Sequence, residues 1–100
     1  MSAPVIRRVV VRGRVQGVGF RAFVEDEARR RRIAGWVRNR RDGSVEAVFA
    51  GSLDEVERIT AAVRHGPPGA RVDAVEVSQA GDEDLRHRLA GEVFSVLQTI

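Results

Sequence analysis

The sequence predicts an α+β fold in which strands and helices alternate along 100 residues. Three observations indicate this class. Some segments alternate apolar and polar residues, two others repeat apolar residues at helical spacing, and glycine, proline or Asp-Gly pairs separate the segments. A chain of this length can bury one modest hydrophobic core, so we expect residues 1–100 to form a single domain.

The first two predicted elements are a strand and a helix. In Val5–Arg14, Val9 and Val11 alternate with arginines, which is typical of a strand with one face toward solvent, although Val10 would be apolar on the polar face. Residues 20–32 are predicted to form a helix, with Gly35 beyond its end. The apolar face of this helix contains Phe20, Phe23, Val24 and Ala28.

A β-hairpin is predicted next, with strands over residues 36–40 and 44–50. Asp42-Gly43 between them is a strong signal for a tight turn, because glycine readily adopts the positive φ that such turns need. Asn39 would therefore lie near the end of the hairpin.

The second half of the chain predicts another helix and two more strands. Ser52 and Glu55 fit a capping box, and apolar residues continue from it at helical spacing, so the helix should run to about Arg64. Gly66-Pro67-Pro68-Gly69 then breaks the chain. A strand with imperfect alternation, an exposed loop or short helical turn, and a last short strand complete the prediction, over residues 72–78, 81–88 and 93–97.

This order of elements matches the ferredoxin-like split β-α-β arrangement. We therefore expect an α+β sandwich in which a mainly antiparallel sheet of four to five strands carries two helices on one face. Many unrelated functions use this arrangement, so the fold alone does not select a function.

The composition excludes several kinds of chemistry. No cysteine is present, which excludes disulfides, thiolate metal sites and a cysteine nucleophile. All 17 basic residues are arginine, so a lysine Schiff base and the lysine of a Walker A loop are excluded as well. The net charge of +3 suits an anionic ligand but is too small to indicate a nucleic-acid partner by itself.

The sequence indicates neither a membrane span nor a secretory leader. Its longest apolar stretch is only a few residues, and residues 1–8 lack an extended apolar region followed by a small-residue cleavage site. We therefore expect no membrane partner and a cytoplasmic location.

The segment over residues 13–21 is the richest in chemical signals, with three glycines and two arginines within nine residues. Gly17 and Gly19 permit positive φ, so that successive N–H groups can converge on one anion. The same point faces the N-terminus of the first predicted helix, where orphan amides favour phosphate and Arg21 can add a bidentate contact. The alternative is that the glycines only shape a turn and that Arg21 is solvated. The loop lacks the third glycine of the dinucleotide-binding motif, which disfavours a nucleotide.

Asn39 is a carboxamide in an otherwise apolar and basic strand. Such a side chain can accept from and donate to a water molecule, and so can orient a nucleophile without changing its own protonation state. The alternative is that it only favours the turn that follows.

Residues 13–21 and 35–51 together resemble the two signature motifs of the acylphosphatase family, without a gap in either. The second motif rests on Gly35, Trp36, Asn39, Gly43, Val45 and Gly51. The element order and the stretch over residues 66–72 are also similar to the family, so that the resemblance covers nearly the whole chain.

The resemblance implies hydrolysis of a carboxylic-phosphoric anhydride. Arg21 matches the family's phosphate-binding arginine and Asn39 its water-orienting asparagine, which makes these two the expected catalytic residues. The expected phosphate-binding residues are Val15, Gln16, Gly17, Val18, Gly19, Phe20 and Arg21. A carboxylate leaving group departs without a general acid, and phosphoryl transfer depends mainly on positioning and on stabilising charge. We therefore expect no metal, no cofactor and no covalent intermediate. The expected partner is a small acyl phosphate, with the protein acting as a monomer.

Two positions depart from the family pattern. Some relatives have a hydroxyl residue where this chain has Arg40, and many end in an aromatic residue where this chain has Ile100. Arg40 either strengthens attraction for anionic substrates or is exposed in the hairpin. These departures bear on the rate more than on the activity itself.

Other interpretations remain open from the residues. A phosphate-sensing or partner-binding module would keep the loop without useful turnover, and a regulatory or carbamoyl-transferring module would belong to a larger enzyme.

The run Arg29-Arg30-Arg31-Arg32 follows three acidic residues at helical spacing, which is typical of a solvated helix face. An RNA-binding sheet would need exposed aromatics on its central strands, where only Phe49 is available. His65 and His87 have no partner at metal-ligand spacing and are expected at the surface.

Overall fold

The computed structural model describes residues 3–100, so that Met1 and Ser2, the start of the predicted domain, lie outside the described residues. The elements in chain order are β1 (Val5–Arg14), α1 (Phe20–Arg30), β2 (Ala34–Asn39), β3 (Val45–Gly51), α2 (Leu53–His65), β4 (Arg71–Gln79), α3 (Asp82–Leu85) and β5 (Phe94–Val96). None of the helices in this part of the chain combines the length and apolar content needed to cross a bilayer.

The strands form one five-stranded sheet in the order β4-β1-β3-β2-β5. Every pairing is antiparallel except that of β2 with β5, which is parallel. Helices α1 and α2 pack together on one face of the sheet, where the apolar core lies. The predicted ferredoxin-like α+β class is therefore confirmed.

The core forms because alternate strand residues and the apolar stripe of each helix meet between the two layers. Val9, Val37 and Phe49 from the sheet are fully buried against Phe20 of α1 and Ile59 of α2. Phe49 faces this core, stacked on a phenylalanine of β5 at 6.3 Å, and is not displayed on the open side of the sheet.

The opposite face of the sheet is covered around Trp36. Its indole is fully buried and donates a hydrogen bond from Nε1 to the backbone oxygen of Asp84 in α3, at 2.7 Å. The exposed ring of His87 packs against it edge-on, with 5.7 Å between ring centroids. Of the two alternatives predicted for residues 81–88, the structure has the short helical turn, which is α3, and this segment also covers a large aromatic side chain.

A charged network continues on the same face toward β1. Glu46 accepts from Arg8 at 3.1 Å and from Arg38 at 2.8 Å, and Arg8 also reaches the Asp84 carboxylate. The expectation that this face of β1 meets solvent is wrong at its centre, where Val10 is buried. Glu46 of the network is the residue of β3 that pairs with Val10.

Helix α1 ends at Arg30 instead of residue 32. Ile33 N–H donates to the oxygen of Ala28 at 2.9 Å, and Arg32 N–H donates to that of Arg29 at 3.3 Å. These two bonds are the Schellman pattern, which needs a left-handed residue that is usually glycine. Arg32 takes that position with φ of 55°, so the chain turns earlier than the glycine signal at Gly35 indicated.

The β2–β3 hairpin has its turn at the predicted place, but β2 begins at Ala34, before the predicted start. Gly35 therefore lies inside the strand, with φ of 142° and so close to β3 that a Cβ would lie 1.8 Å from the oxygen of Val48. Arg40 belongs to the turn, since its oxygen accepts from Gly43 N–H at 3.0 Å.

The remaining elements follow the predictions within one or two residues. The Ser52 hydroxyl accepts from the N–H of Glu55 at 3.2 Å, which caps α2. Helix α2 ends at His65, one residue later than predicted, before the glycine and proline break. Strand β5 is short and reaches the sheet beside β2, at the edge opposite β4.

Candidate active site

The loop between β1 and α1 leaves several backbone N–H groups free. Gly17 and Gly19 adopt φ of 75° and 78°, as expected for the predicted anion-binding loop. Gly19 is the N-cap of α1 and offers no side chain to satisfy the amides of the first turn. In the described part of the chain, the N–H groups of residues 16–19 donate to no acceptor. The loop therefore presents a set of hydrogen-bond donors and the positive end of a helix.

Arg21 lies in the first turn of α1 and is partly buried. Among residues 3–100, its guanidinium forms no ion pair and no hydrogen bond. Eight of the sixteen other arginines pair with carboxylates, whereas the five N–H donors of Arg21 stay available for an external anion.

Asn39 is the last residue of β2 and is 9% exposed. Its side-chain oxygen Oδ1 is fully buried and has no hydrogen-bond partner within the described chain. A buried acceptor without a partner costs about 1–3 kcal/mol, which makes this oxygen a candidate acceptor for a donor from outside the chain. The backbone of Asn39 is held in place, since its oxygen accepts from Ile100 N–H at 3.1 Å.

A single cavity of about 480 Å³ brings these groups together. It is lined by Val15, Gln16, Gly17, Gly19, Phe20, Arg21, Ala22, Glu25, Asn39 and Val96. All of the expected site residues except Val18 therefore contribute to its wall. The side chain of Val18 packs against the hydrophobic core instead.

Three cavity residues were not predicted, namely Ala22, Glu25 and Val96. Glu25 lies four positions after Arg21, so helical spacing places it on the same face and could have indicated it. Its carboxylate is 3.1 Å from Arg29. Val96 comes from β5, whose parallel pairing with β2 no local pattern indicates.

The two departures from the family pattern lie beside the cavity and do not line it. Arg40 is 36% exposed at its side chain and lies 4.0 Å from the carboxylate of Asp42. Ile100 contributes its backbone, which donates to Asn39 and accepts from Arg41 N–H at 2.8 Å. An exposed side chain at position 100 is thus compatible with the contacts that reach Asn39.

The turn after Asn39 is stabilised by Asp42. Its carboxylate accepts from the hydroxyl of Ser44 and from the N–H of Ser44 at 2.9 Å. These hydrogen bonds, with a smaller contribution from the charge of Arg40, lower the pKa of Asp42 to about 2. The turn is therefore most stable with this carboxyl ionised.

No group of three or more histidine, aspartate or glutamate side chains in residues 3–100 is arranged to hold a metal ion. The cavity offers one carboxylate, that of Glu25, beside the arginine and the amides. Its donor set therefore suits an anion better than a cation.

Comparison with known proteins identifies the family. The family model described as Acylphosphatase matches residues 7–90. The chain belongs to the acylphosphatase family. Acylphosphatases of Bradyrhizobium diazoefficiens and Nitrobacter hamburgensis are 57% and 54% identical to it, over 95% and 96% of this chain and 96% and 97% of theirs.

Solved acylphosphatase structures have the same fold. The Bacillus subtilis crystal structure is 39% identical with a TM-score of 0.80, covering 93% of this chain and 98% of that one. The Coxiella burnetii structure is 34% identical with a TM-score of 0.82, covering 94% of this chain and 93% of that one. The chain is an acylphosphatase, a hydrolase that acts on small acyl phosphates.

Proposed function

We propose that this acylphosphatase works without a metal, binding the substrate phosphate through Arg21 and the amides of residues 15–21 and orienting the attacking water through Asn39. The observation that carries the proposal is the cavity itself. Arg21, Asn39 and most residues of the loop line it. The guanidinium of Arg21 and Oδ1 of Asn39 have no hydrogen-bond partner within the described chain.

Electrostatics explains how these residues would bind the phosphoryl group and promote its transfer. Phosphoryl transfer spreads negative charge over the three non-bridging oxygens, and catalysis depends mainly on positioning and on stabilising that charge. A guanidinium and several N–H groups directed at one point supply this stabilisation without reorganising during the reaction. The carboxylate leaving group carries its own charge away, so no general acid is required.

The water side depends on Asn39. A water molecule that donates a hydrogen bond to Oδ1 directs its lone pairs elsewhere, and a bound phosphorus atom in front of the loop would receive them. Glu25 is the one carboxylate among the cavity residues, and it forms an ion pair with Arg29. We therefore assign the water's proton to a phosphate oxygen of the substrate, and a bell-shaped rate profile tracking an enzyme group would contradict this assignment.

The test is hydrolysis of benzoyl phosphate by the wild type and by Asn39→Ala, each with and without a chelator. We expect chelator-resistant turnover, and a kcat about 100-fold lower in Asn39→Ala with the inhibition constant of inorganic phosphate nearly unchanged. Unfolding of Asn39→Ala should need as much urea as the wild type or more, because the variant removes an unsatisfied acceptor. Gln79→Ala, an exposed carboxamide at the end of β4, is the control.

The outcomes separate the parts of the proposal. Loss of turnover with chelator would contradict metal independence. A wild-type kcat in Asn39→Ala would remove the water-orienting role, and phosphate binding without any turnover by the wild type would favour a phosphate-sensing module.

We further propose that the chain acts as a monomeric single domain in the cytoplasm, without a nucleic-acid partner. The shared core of both helices supports one domain. The burial of Trp36 under α3 supports the absence of an RNA-binding sheet surface, and Arg29 and Arg30 are exposed beside carboxylates of their own helix. Sedimentation tests the monomer, a nucleic-acid binding titration at low salt tests the absence of that partner, a single urea unfolding transition tests the single domain, and cell fractionation tests the location.

A further inference from the structure

The side chain of Gln16 bridges the two halves of the cavity. Its Nε2 donates to the backbone oxygen of Arg40 at 2.7 Å and to that of Ser44 at 2.8 Å. Both acceptors belong to the turn that directly follows Asn39. We infer that the Gln16 side chain is a positioning residue, which sets the distance between the phosphate-binding loop and the water-orienting Asn39.

The sheet topology explains why such a bridge is needed. The loop follows β1 and Asn39 ends β2, but β3 lies between these strands in the sheet. Neighbouring strands are about 4.8 Å apart, so the two halves of the site start roughly 10 Å from each other. Gln16 reaches across the start of β3, since one of its acceptors, Ser44, directly precedes that strand.

Each half is held independently of the bridge. Val15, next to Gln16, is fully buried and anchors the loop in the core. The turn has its own hydrogen bonds, including Arg40 N–H to the oxygen of Ser44 at 2.9 Å and the Asp42 contacts to Ser44. Removing the Gln16 side chain should therefore leave both halves folded and loosen only their separation.

The chemistry of the bridge selects a carboxamide. Both acceptors are carbonyl oxygens, so the side chain must supply two donors from one atom, which the NH₂ group of glutamine does. Methionine has a similar length and no donor. Glutamate has a similar shape but would bring its negative oxygens against two carbonyls.

This inference rests on the proposed function, because it needs Arg21 and Asn39 to hold the two reacting groups. Misplacement by about 1 Å can cost up to about 100-fold in rate. We expect Gln16→Met to lower kcat about 10- to 100-fold, with Gln16→Glu lower still, while the phosphate inhibition constant changes less than about threefold. Gln79→Met, the matched change at an exposed position, should match the wild type.

A double-mutant cycle decides between positioning and general damage. If Gln16 acts through Asn39, then Gln16→Met should have little further effect in an Asn39→Ala background. Additive losses, or a phosphate inhibition constant that rises as much as kcat falls, would overturn the inference. So would a Gln16→Met variant that fails to fold, because the two halves would then depend on the bridge. Failure of the proposed function is distinct, since Asn39→Ala alone would then keep wild-type kcat.

Discussion

Replacing Arg21 with alanine should lower the activity strongly while leaving the stability of the fold nearly unchanged. Arg21 is partly buried in the first turn of α1 and has no ion pair or hydrogen bond within residues 3–100. Its removal breaks no native contact of that kind, so the free energy of unfolding should change by no more than about 0.5 kcal/mol.

The expected loss of activity follows from the contacts to phosphate. A bidentate guanidinium contributes two charge-assisted hydrogen bonds, and removing a group of this kind from a site of developing charge costs about 3–4 kcal/mol. Since about 1.36 kcal/mol is a factor of ten, kcat/KM of Arg21→Ala should fall about 150- to 900-fold. Arg21→Lys keeps the positive charge without the two-pronged guanidinium, so its kcat/KM should lie between those of the wild type and Arg21→Ala.

The assay is the loss of benzoyl phosphate absorbance, with inorganic phosphate as competitor and urea unfolding as the folding control. Arg40→Ala removes an equal charge from a residue that is 36% exposed beside the site and outside the cavity wall. It should lower kcat/KM less than about threefold, as screened surface charges do. A loss below about tenfold in Arg21→Ala, or equal losses in both variants, would show that the arginine does not hold the phosphate directly.

Three further predictions concern the glycines of the β2–β3 hairpin, the turn residue Asp42 and the cavity residue Glu25. Gly35→Ala should destabilise the fold by about 3 kcal/mol or more in urea unfolding, because its Cβ would lie 1.8 Å from a carbonyl oxygen of β3. Gly43→Ala, at φ of 93° in open space, should cost only about 1 kcal/mol, and equal losses would contradict the steric argument. The pKa of Asp42 is lowered to about 2 in the folded protein, from 3.8 in the unfolded chain. The ionised carboxyl should therefore stabilise the fold fully above about pH 4 and progressively less toward about pH 2. Asp42→Asn should remove this part of the acid dependence of the unfolding free energy, measured by urea titration at several pH values. Glu25→Gln should raise kcat/KM for succinyl phosphate relative to benzoyl phosphate about two- to fivefold, because a carboxylate in the cavity wall repels a second negative charge on the acyl group. An unchanged ratio would place the acyl group elsewhere.

The sequence predicted the fold and the principal site residues because their signals are local. Periodicity located the strands and helices, and glycines at positions 17 and 19 indicated a loop with positive φ. The resemblance then assigned roles to Arg21 and Asn39, and the structure brings both to one cavity. Their roles themselves remain predictions.

What the sequence could not predict depends on contacts between distant segments. The end of α1 was misplaced because Arg32 takes a left-handed position that glycine usually marks. The covering of Trp36 by α3 and the approach of Val96 to the cavity both depend on where residues 81–96 pack against the sheet, which no local pattern indicates. The bridging bonds of Gln16 span 24 and 28 positions of sequence, beyond the reach of any pattern along the chain.

The N-cap residue of helix α1 is Gly19, which supplies no side-chain capping group. A phosphate seated at this position would be the missing cap, and it would bind the native chain but not the unfolded one. At a concentration 100 times its dissociation constant, such a ligand adds about 2.7 kcal/mol to the free energy of unfolding. The product of the reaction is then also a stabiliser of the enzyme. Resistance to heat and proteolysis would vary with the phosphate level of the surroundings, and the protein would be most vulnerable where phosphate is scarce.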